Sequence, residues 1–203
     1  MNLQKRIKLL NYLSMSEVFS YQPRNLSCLV KYTVPDQETC AEQHELLKMI
    51  PPLYFDHSLV IGRFQPLHYG HLYLMKWATK LAGNFTIGIG SANIINQDNP
   101  FSIQERTTML LKALSQEGLI GKLCNIVPLW DFEDDTLWIE QTLNRVGKTD
   151  VVLGNNPWVN SVFQNHGIPA IEIPLLNRGK WQGSIIREQL RQNNYFKPST
   201  ISL

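Results

Sequence analysis

"IGRFQPLHYGHLYLMKW", from Ile61 to Trp77, decides how this chain folds. It opens on the end of an apolar run, "HSLVIG" from His57 to Gly62, and closes on a helical pattern that starts near Tyr69. A short β-rich run followed by a helical pattern predicts a strand that crosses over to a parallel neighbour. The alternation repeats downstream, where "NFTIGIG" (84–90), "LCNIVPL" (123–129), "DVVLG" (150–154) and "PAIEIP" (169–174) read as further strands. Between them, "NPFSIQERTTMLLKALSQEG" (99–118) sets Ser102 three residues before Glu105, a capping box, and closes at Gly118. "NNPWVNSVFQNHG" (155–167) offers Asn156 as N-cap, Pro157 as first helical residue and Gly167 as stop. The expected class is α/β, a doubly wound parallel sheet of about five strands.

The 203 residues suit one well-buried domain. Residues 57–195 form it, 196–203 are a tail, and 1–56 lack its rhythm and read as an appendage with one helical pattern around "ETCAEQHELLKM" (38–49). Every expected strand and ligand contact follows residue 55, so a chain begun there is expected to fold and act. Leu3, Ile7, Leu10 and Leu13 fall near helical spacing and read as a short helix docked on its own domain rather than on a membrane surface. Asn11, Ser14, Ser16 and Glu17 break the apolar stretch a signal peptide needs. No apolar run approaches the ~20 residues of a membrane span. Lys and Arg (19) nearly balance Asp and Glu (17), without the broad positive field that tracks nucleic acid, so an anion must be held locally. Cys28, Cys40 and Cys124 form no CxxC pair and no metal-ligand spacing, which points to reduced thiols and a cytoplasmic setting. The oligomeric state stays open, a homo-oligomer included.

Ligands of open parallel sheets sit beyond the carboxyl ends of the strands. The unusual residues fall there: Gly62-Arg63, Gly90-Ser91, "PLWDFEDD" (128–135) and "GNNP" (154–157). Gly62 permits a sharp turn or a close ligand, and the helix from Tyr69 aims free N–H groups at the same space. His68 and His71 lie on one side of its first turn, with Arg63 beside them, and together suit an anion. Either histidine alone would read as structural; a metal site lacks a cysteine or a suitably spaced carboxylate to complete it. "WQGSIIREQLRQ" (181–192) puts Gly183 and Ser184 at a helix head with Arg187 one turn in, a second anion cradle whose members singly are an ordinary N-cap and a surface charge. In "DFEDDTLW" (131–138) the carboxylates suit a helix start, and Trp138 is either core filler or a platform for a ring. Met75 and Trp77 belong to the core. "VGKT" (146–149) is no phosphate loop, because its leading glycine would fall at Thr142, and "GIGSAN" (88–93) has Asn93 where a dinucleotide fingerprint needs glycine.

"GRFQPLHYGH", "GSAN…NPFSIQER", "DFEDDTLW", "GNNP" and "GSIIR", in this order over Ser58 to about Tyr195, resemble the archaeal-type nicotinamide-nucleotide adenylyltransferases. The resemblance implies a Rossmann-like fold that joins ATP to nicotinamide mononucleotide (NMN), releasing pyrophosphate and NAD. It implies that Arg63, His68 and His71 hold ATP phosphates, with Gly62 and Phe64 in the same site. Ser184 and Arg187 would hold the β and γ groups from the opposite side, and Asn155 and Asn156 would border the nucleotide. His68, His71, Arg63 and Arg187 would be the catalytic set. Arg106 would meet the NMN phosphate, and Trp138 would stack on the nicotinamide. Mg²⁺ would be held mainly by substrate phosphates and water.

Three positions depart from the family pattern. The loop from Asn93 to Asn99 is shorter by about one residue and lacks a Ser-His pair, Ser184 replaces threonine, and Asp135 stands where the family has asparagine. Asp135, three residues before Trp138 on the same helical side, is expected beside the ring, where it favours the amide of NMN over a nicotinate carboxylate. Two alternatives remain open at this point: a nucleotidyltransferase with another phosphorylated acceptor, and a nucleotide-binding regulatory module without turnover.

Overall fold

The computed structural model describes residues 24–51 and 54–196. The helical spacing of Leu3 to Leu13 and the tail from residue 197 lie outside the described residues. After a 3-10 turn (Ser27–Thr33), the elements run α1 (Gln37–Leu47), β1 (Phe55–Gly62), α2 (Tyr69–Leu81), β2 (Ala82–Ile89) and α3 (Ile103–Gln116). There follow β3 (Leu123–Pro128), α4 (Asp135–Val146), β4 (Val151–Leu153), α5 (Pro157–Asn165), β5 (Ala170–Ile171) and α6 (Gly183–Gln192).

The five strands are parallel in the order β3-β2-β1-β4-β5, with Val60 opposite both Ile87 and Leu153. Alternating strand residues feed two apolar layers. Val60, Ile87 and Leu153 join Leu72, Met75, Leu110 and Ile186 on the face covered by α2, α3 and α6. Leu59 and Val152 join Trp138, Ile139, Val159 and Phe163 on the face covered by α4 and α5. The local signals hold. Ser102 and Glu105 cap α3 reciprocally, Asn156 caps α5 ahead of Pro157, and Gly118 and Gly167 take positive φ past their helices. Met75 and Trp77 are buried as expected. The chain runs from β1 outward to β3, then returns past β1 to β4, so the strand order reverses between β1 and β4, the place where such sheets open a crevice.

Residues 24–51 are stitched into the core. Leu29 and Tyr32 are buried in the main apolar layer. The Arg24 guanidinium pairs with buried Glu105 (2.7 Å), Trp181 Nε1 donates to buried Thr39 (3.2 Å), and the Tyr69 hydroxyl donates to Gln43 (2.6 Å). A chain begun after residue 55 would expose this apolar layer and strand Glu105 without its arginine, so the expected tolerance to that deletion is reversed. Sequence rhythm missed this because the segment packs as a 3-10 turn and a helix of weak amphipathicity, not as a strand-helix unit.

Candidate active site

The β1–α2 loop is built around Gly62 and Phe64. Phe64 takes a left-handed φ of 51° and is fully buried, with its ring laid so close over Gly62 that a Cβ there would sit 2.9 Å from Phe64 Cζ. The same ring tilts against His71 at 4.8 Å. The buried ring of Phe64 is therefore a wedge beneath the loop that sets His71 and the glycine. Gln65 ties this loop to the next: its amide exchanges two hydrogen bonds with the backbone of Phe101 (3.0 and 2.9 Å).

His68 is the N-cap of α2 and His71 its third residue, with rings stacked at 3.7 Å. His71 Nδ1 accepts the backbone N–H of His68 (3.3 Å), which leaves the ring proton of the neutral imidazole on Nε2. The buried Nδ1 of His68 has no protein partner. Burial pushes the His71 pKa down to about 3, and burial, then the neighbouring His71, holds His68 well below its ordinary range. Both are neutral donors at pH 7.

These depressed values tie stability to pH. For His71 the unfolded chain binds its proton near 6.5 and the folded one only near 3, so the stability is complete above the first value and lost as pH falls through the second. Urea unfolding between about pH 7.5 and about pH 5 should show a steeper acid loss for wild type than for His71→Gln. Equal slopes would remove the buried neutral imidazole from the account.

The crevice has two lobes that share Ile61 and Gly62 as their common wall. One, about 220 Å³, is lined by His68, His71, Asn155, Arg178 and Trp181. The other, about 390 Å³, is lined by Arg63, Ser91, Asp131, Trp138, Asn156 and Trp158. Asn155 and Asn156 thus border different lobes. Asn155 binds the Ile173 backbone in both directions (2.6 and 2.8 Å), while the Asn156 carbonyl caps α5 on the N–H groups of Trp158 and Val159. Helix α6 starts on Gln182 without a side-chain cap, and Ser184 is its exposed second residue rather than its N-cap. The N-termini of α2 and α5 border the lobes, and α6 starts two residues after Trp181, so partial positive charge collects here.

Two arginines lie under this crevice. Arg187 is buried; its Nη1 donates to the Gln65 carbonyl (2.9 Å), its Nη2 to Asp98 (3.3 Å), and its buried Nε has no protein partner. Asp98 sits in the loop whose length departs from the family, and it places a carboxylate on this guanidinium. Arg106 is fully buried and donates to the carbonyls of Arg63 (3.0 Å), Gly90 (2.8 Å), Ser91 (3.3 Å) and Ser102 (3.4 Å). Arg106 clamps the segments that follow β1 and β2, with four of its five N–H groups bound to backbone. Burial pushes its pKa down to about 10, Asp131 opposes that, and the charge of Arg63 adds to it. Arg63 also depresses Arg187, after burial, so the exposed Arg63 lies in the field of both.

At the start of α4, Asp134 is the N-cap, accepting from Leu137 N (2.7 Å), and Asp135 is the first helical residue. Asp135 accepts the indole N–H of Trp158 (3.1 Å). Trp138 lines the lobe but is only 3% exposed, with Trp158 against it at 4.7 Å. Reading the sequence alone missed Trp158 and Arg178. An aromatic one residue past the "GNNP" turn was the available signal for the first; Arg178 sits in irregular chain and offered none.

The model of the cytidylyltransferase-like family matches residues 59–193. The chain is 35% identical over 134 residues to the nicotinamide-nucleotide adenylyltransferase of Thermoplasma volcanium, covering 66% of this chain and 74% of that one. It is 36% identical over 141 residues to the enzyme of the same name from Methanolobus tindarius, covering 69% and 80%. Among solved structures it is similar to a bifunctional NMN adenylyltransferase/ADP ribose pyrophosphatase from Francisella tularensis, with a TM-score of 0.62 and 25% identity. The likeness covers 68% of this chain and 43% of that one.

Proposed function

This chain belongs to the cytidylyltransferase-like family, and we propose that within it the protein is a nicotinamide-nucleotide adenylyltransferase, joining ATP and NMN into NAD with release of pyrophosphate. The observation that carries the reading is the pair of lobes meeting at Gly62, one lined by two neutral histidines, the other by Arg63 and tryptophans. ATP takes the histidine lobe, with His68, His71 and Arg63 on its phosphates and Ser184, Arg187 and the start of α6 toward the tail. NMN takes the other, its phosphate toward Arg63 and its base toward the tryptophans, bordered by Asn156.

The attacking group is a phosphate monoester, already mostly dianionic at neutral pH because its second pKa is about 6. No general base is required, and neutral histidines suit the work better as donors. The protein must hold two mutually repelling phosphates in line and offset charge growing on the leaving pyrophosphate. The uncapped start of α6 and the guanidinium groups serve that end. Mg²⁺ fits as the counter-ion of the triphosphate, held by phosphate oxygens and water. Among the described residues no three His, Cys, Asp or Glu gather as a metal cage, and Asp131 is the one carboxylate lining the acceptor lobe. No helix of the described residues is long and apolar enough to cross a membrane. A reduced, cytoplasmic setting fits the scattered cysteines.

Arg187→Ala should raise the KM for ATP by about 10-fold or more, the scale of a lost charge-assisted bond, and the KM for NMN much less. Equal losses would contradict its placement. The reading as a whole is tested by supplying ATP, Mg²⁺ and a panel of phosphorylated acceptors while following pyrophosphate. Release that depends on NMN is expected; release with a different acceptor, or none with any, would favour the alternatives.

A further inference from the structure

We propose that helix α1 braces the lobe assigned to ATP, and that Thr39 and Glu42 on it are positioning residues for that nucleotide, holding the chain from Asn177 to Trp181 against the start of α2. The proposal rests on the reading that ATP takes the histidine lobe, and deepens it by naming what sets the width of that lobe.

Two walls enclose the lobe. One is the start of α2, with His68, Gly70 and His71; the other comes from the chain between β5 and α6, with Ile173, Arg178 and Trp181. Residues 172–182 belong to no strand or helix, so this second wall has no regular ladder of hydrogen bonds to hold it. Its turn opens on Asn177, whose φ of 34° is left-handed and whose carbonyl accepts from the backbone N–H groups of Lys180 (2.9 Å) and Trp181 (3.0 Å). Such a conformation in a residue other than glycine persists where its surroundings over-determine it.

Helix α1 supplies those surroundings. Glu42 accepts the backbone N–H of Asn177 (3.3 Å), the Lys180 ammonium pairs with Asp36 at the N-cap, and buried Thr39 accepts the indole N–H of Trp181 (3.2 Å). The same helix grips the opposite wall, where Gln43 accepts the hydroxyl of Tyr69 (2.6 Å), the first residue of α2. Between the walls the fit is close. A Cβ added at Gly70 would sit 3.3 Å from Trp181 Cβ and 3.2 Å from the ring of His68, so Trp181 bears directly on the turn that carries both histidines. No residue of α1 lines the lobe, and its effect on a ligand therefore passes through Trp181 and Arg178. Because the proposed reaction needs the triphosphate held in place and needs no base, wall spacing translates into affinity and alignment for ATP. Helix α1 lies ahead of residue 59, where the match to the family begins, so this brace belongs to the chain's own extension.

The test is steady-state kinetics of NAD formation on T39V, T39S, E42A and E42Q, with ATP and NMN varied separately, together with calorimetric titration of ATP and Mg²⁺ in the absence of NMN. T39V and E42A should each raise the Kd and KM for ATP by about 2- to 10-fold, the scale of one lost hydrogen bond, while the KM for NMN barely moves. T39S and E42Q, which keep an acceptor oxygen, should restore ATP binding. Thr39 is buried and Glu42 half-buried, so E42A gives the reading in a folded protein even where T39V melts early. An unchanged Kd for ATP in E42A and T39V would overturn the brace while leaving the adenylyltransferase reading intact. Equal losses for ATP and NMN that follow a lowered melting temperature would also overturn it, as a packing role. ATP binding that weakens in these variants of a protein that makes no NAD would keep the brace and sink the reaction; no ATP binding by wild type would sink both.

Discussion

His71→Ala lowers kcat by at least about 100-fold and leaves a folded protein. A donor aimed at charge that grows in the transition state is worth about 2.7–4 kcal/mol, or 10²–10³ in rate. His71 fits that role because its Nδ1 is committed to the backbone of His68, so its one ring proton is on Nε2, in the lobe assigned to ATP. Burial keeps the imidazole neutral, so it contributes a directed N–H and not a diffuse charge. Loss of the contact that steadies the start of α2 should cost about 1 kcal/mol of stability, the scale of a helix cap, and the fold should tolerate it. Unchanged turnover with a normal melting curve would remove His71 from phosphate binding.

Arg106→Ala should be as damaging by another route. Its guanidinium joins the carbonyls of Arg63, Gly90 and Ser91, the residues that follow β1 and β2 at the crevice. A buried carbonyl left without a donor costs about 1–3 kcal/mol, and these three, one buried and two partly buried, together cost about 3–5 kcal/mol. At 2–4 °C per kcal/mol in a chain of this size, melting should fall by about 6–20 °C. Arg63 and Ser91 would then drift, raising the KM for both substrates. A selective rise in KM for NMN with unchanged melting would instead make Arg106 a direct phosphate contact and contradict the clamp.

The parallel sheet, its helices and the crevice at the strand ends were legible because each rests on a local signal: Ser102 with Glu105, Asn156 with Pro157, Gly118, Gly167 and the alternating runs. Roles that depend on where a side chain turns were not. Phe64 reads as part of a ligand motif, and its left-handed backbone and burial under the loop could not be read from it; Arg106 reads as an anion contact, and its bonds to the carbonyls of Arg63, Gly90 and Ser91 could not be read either. Asp135 lies three residues from Trp138, which predicts a shared helical side, but a neighbouring helix supplied an indole donor that spacing along one helix could not reveal. The ties of Arg24 and Thr39 to the core were hidden for the same reason, since their partners Glu105 and Trp181 lie far along the chain.

The central claim is transfer of the adenylyl group of ATP onto the phosphate of NMN in this crevice. Mixing excess protein with ATP labelled at the α-phosphorus, Mg²⁺ and NMN, then quenching and separating the products, tests it most directly. The label should move from ATP into NAD, with an equal amount of pyrophosphate and none bound to protein. Label that appears in AMP, stays on the protein or never leaves ATP would contradict the account.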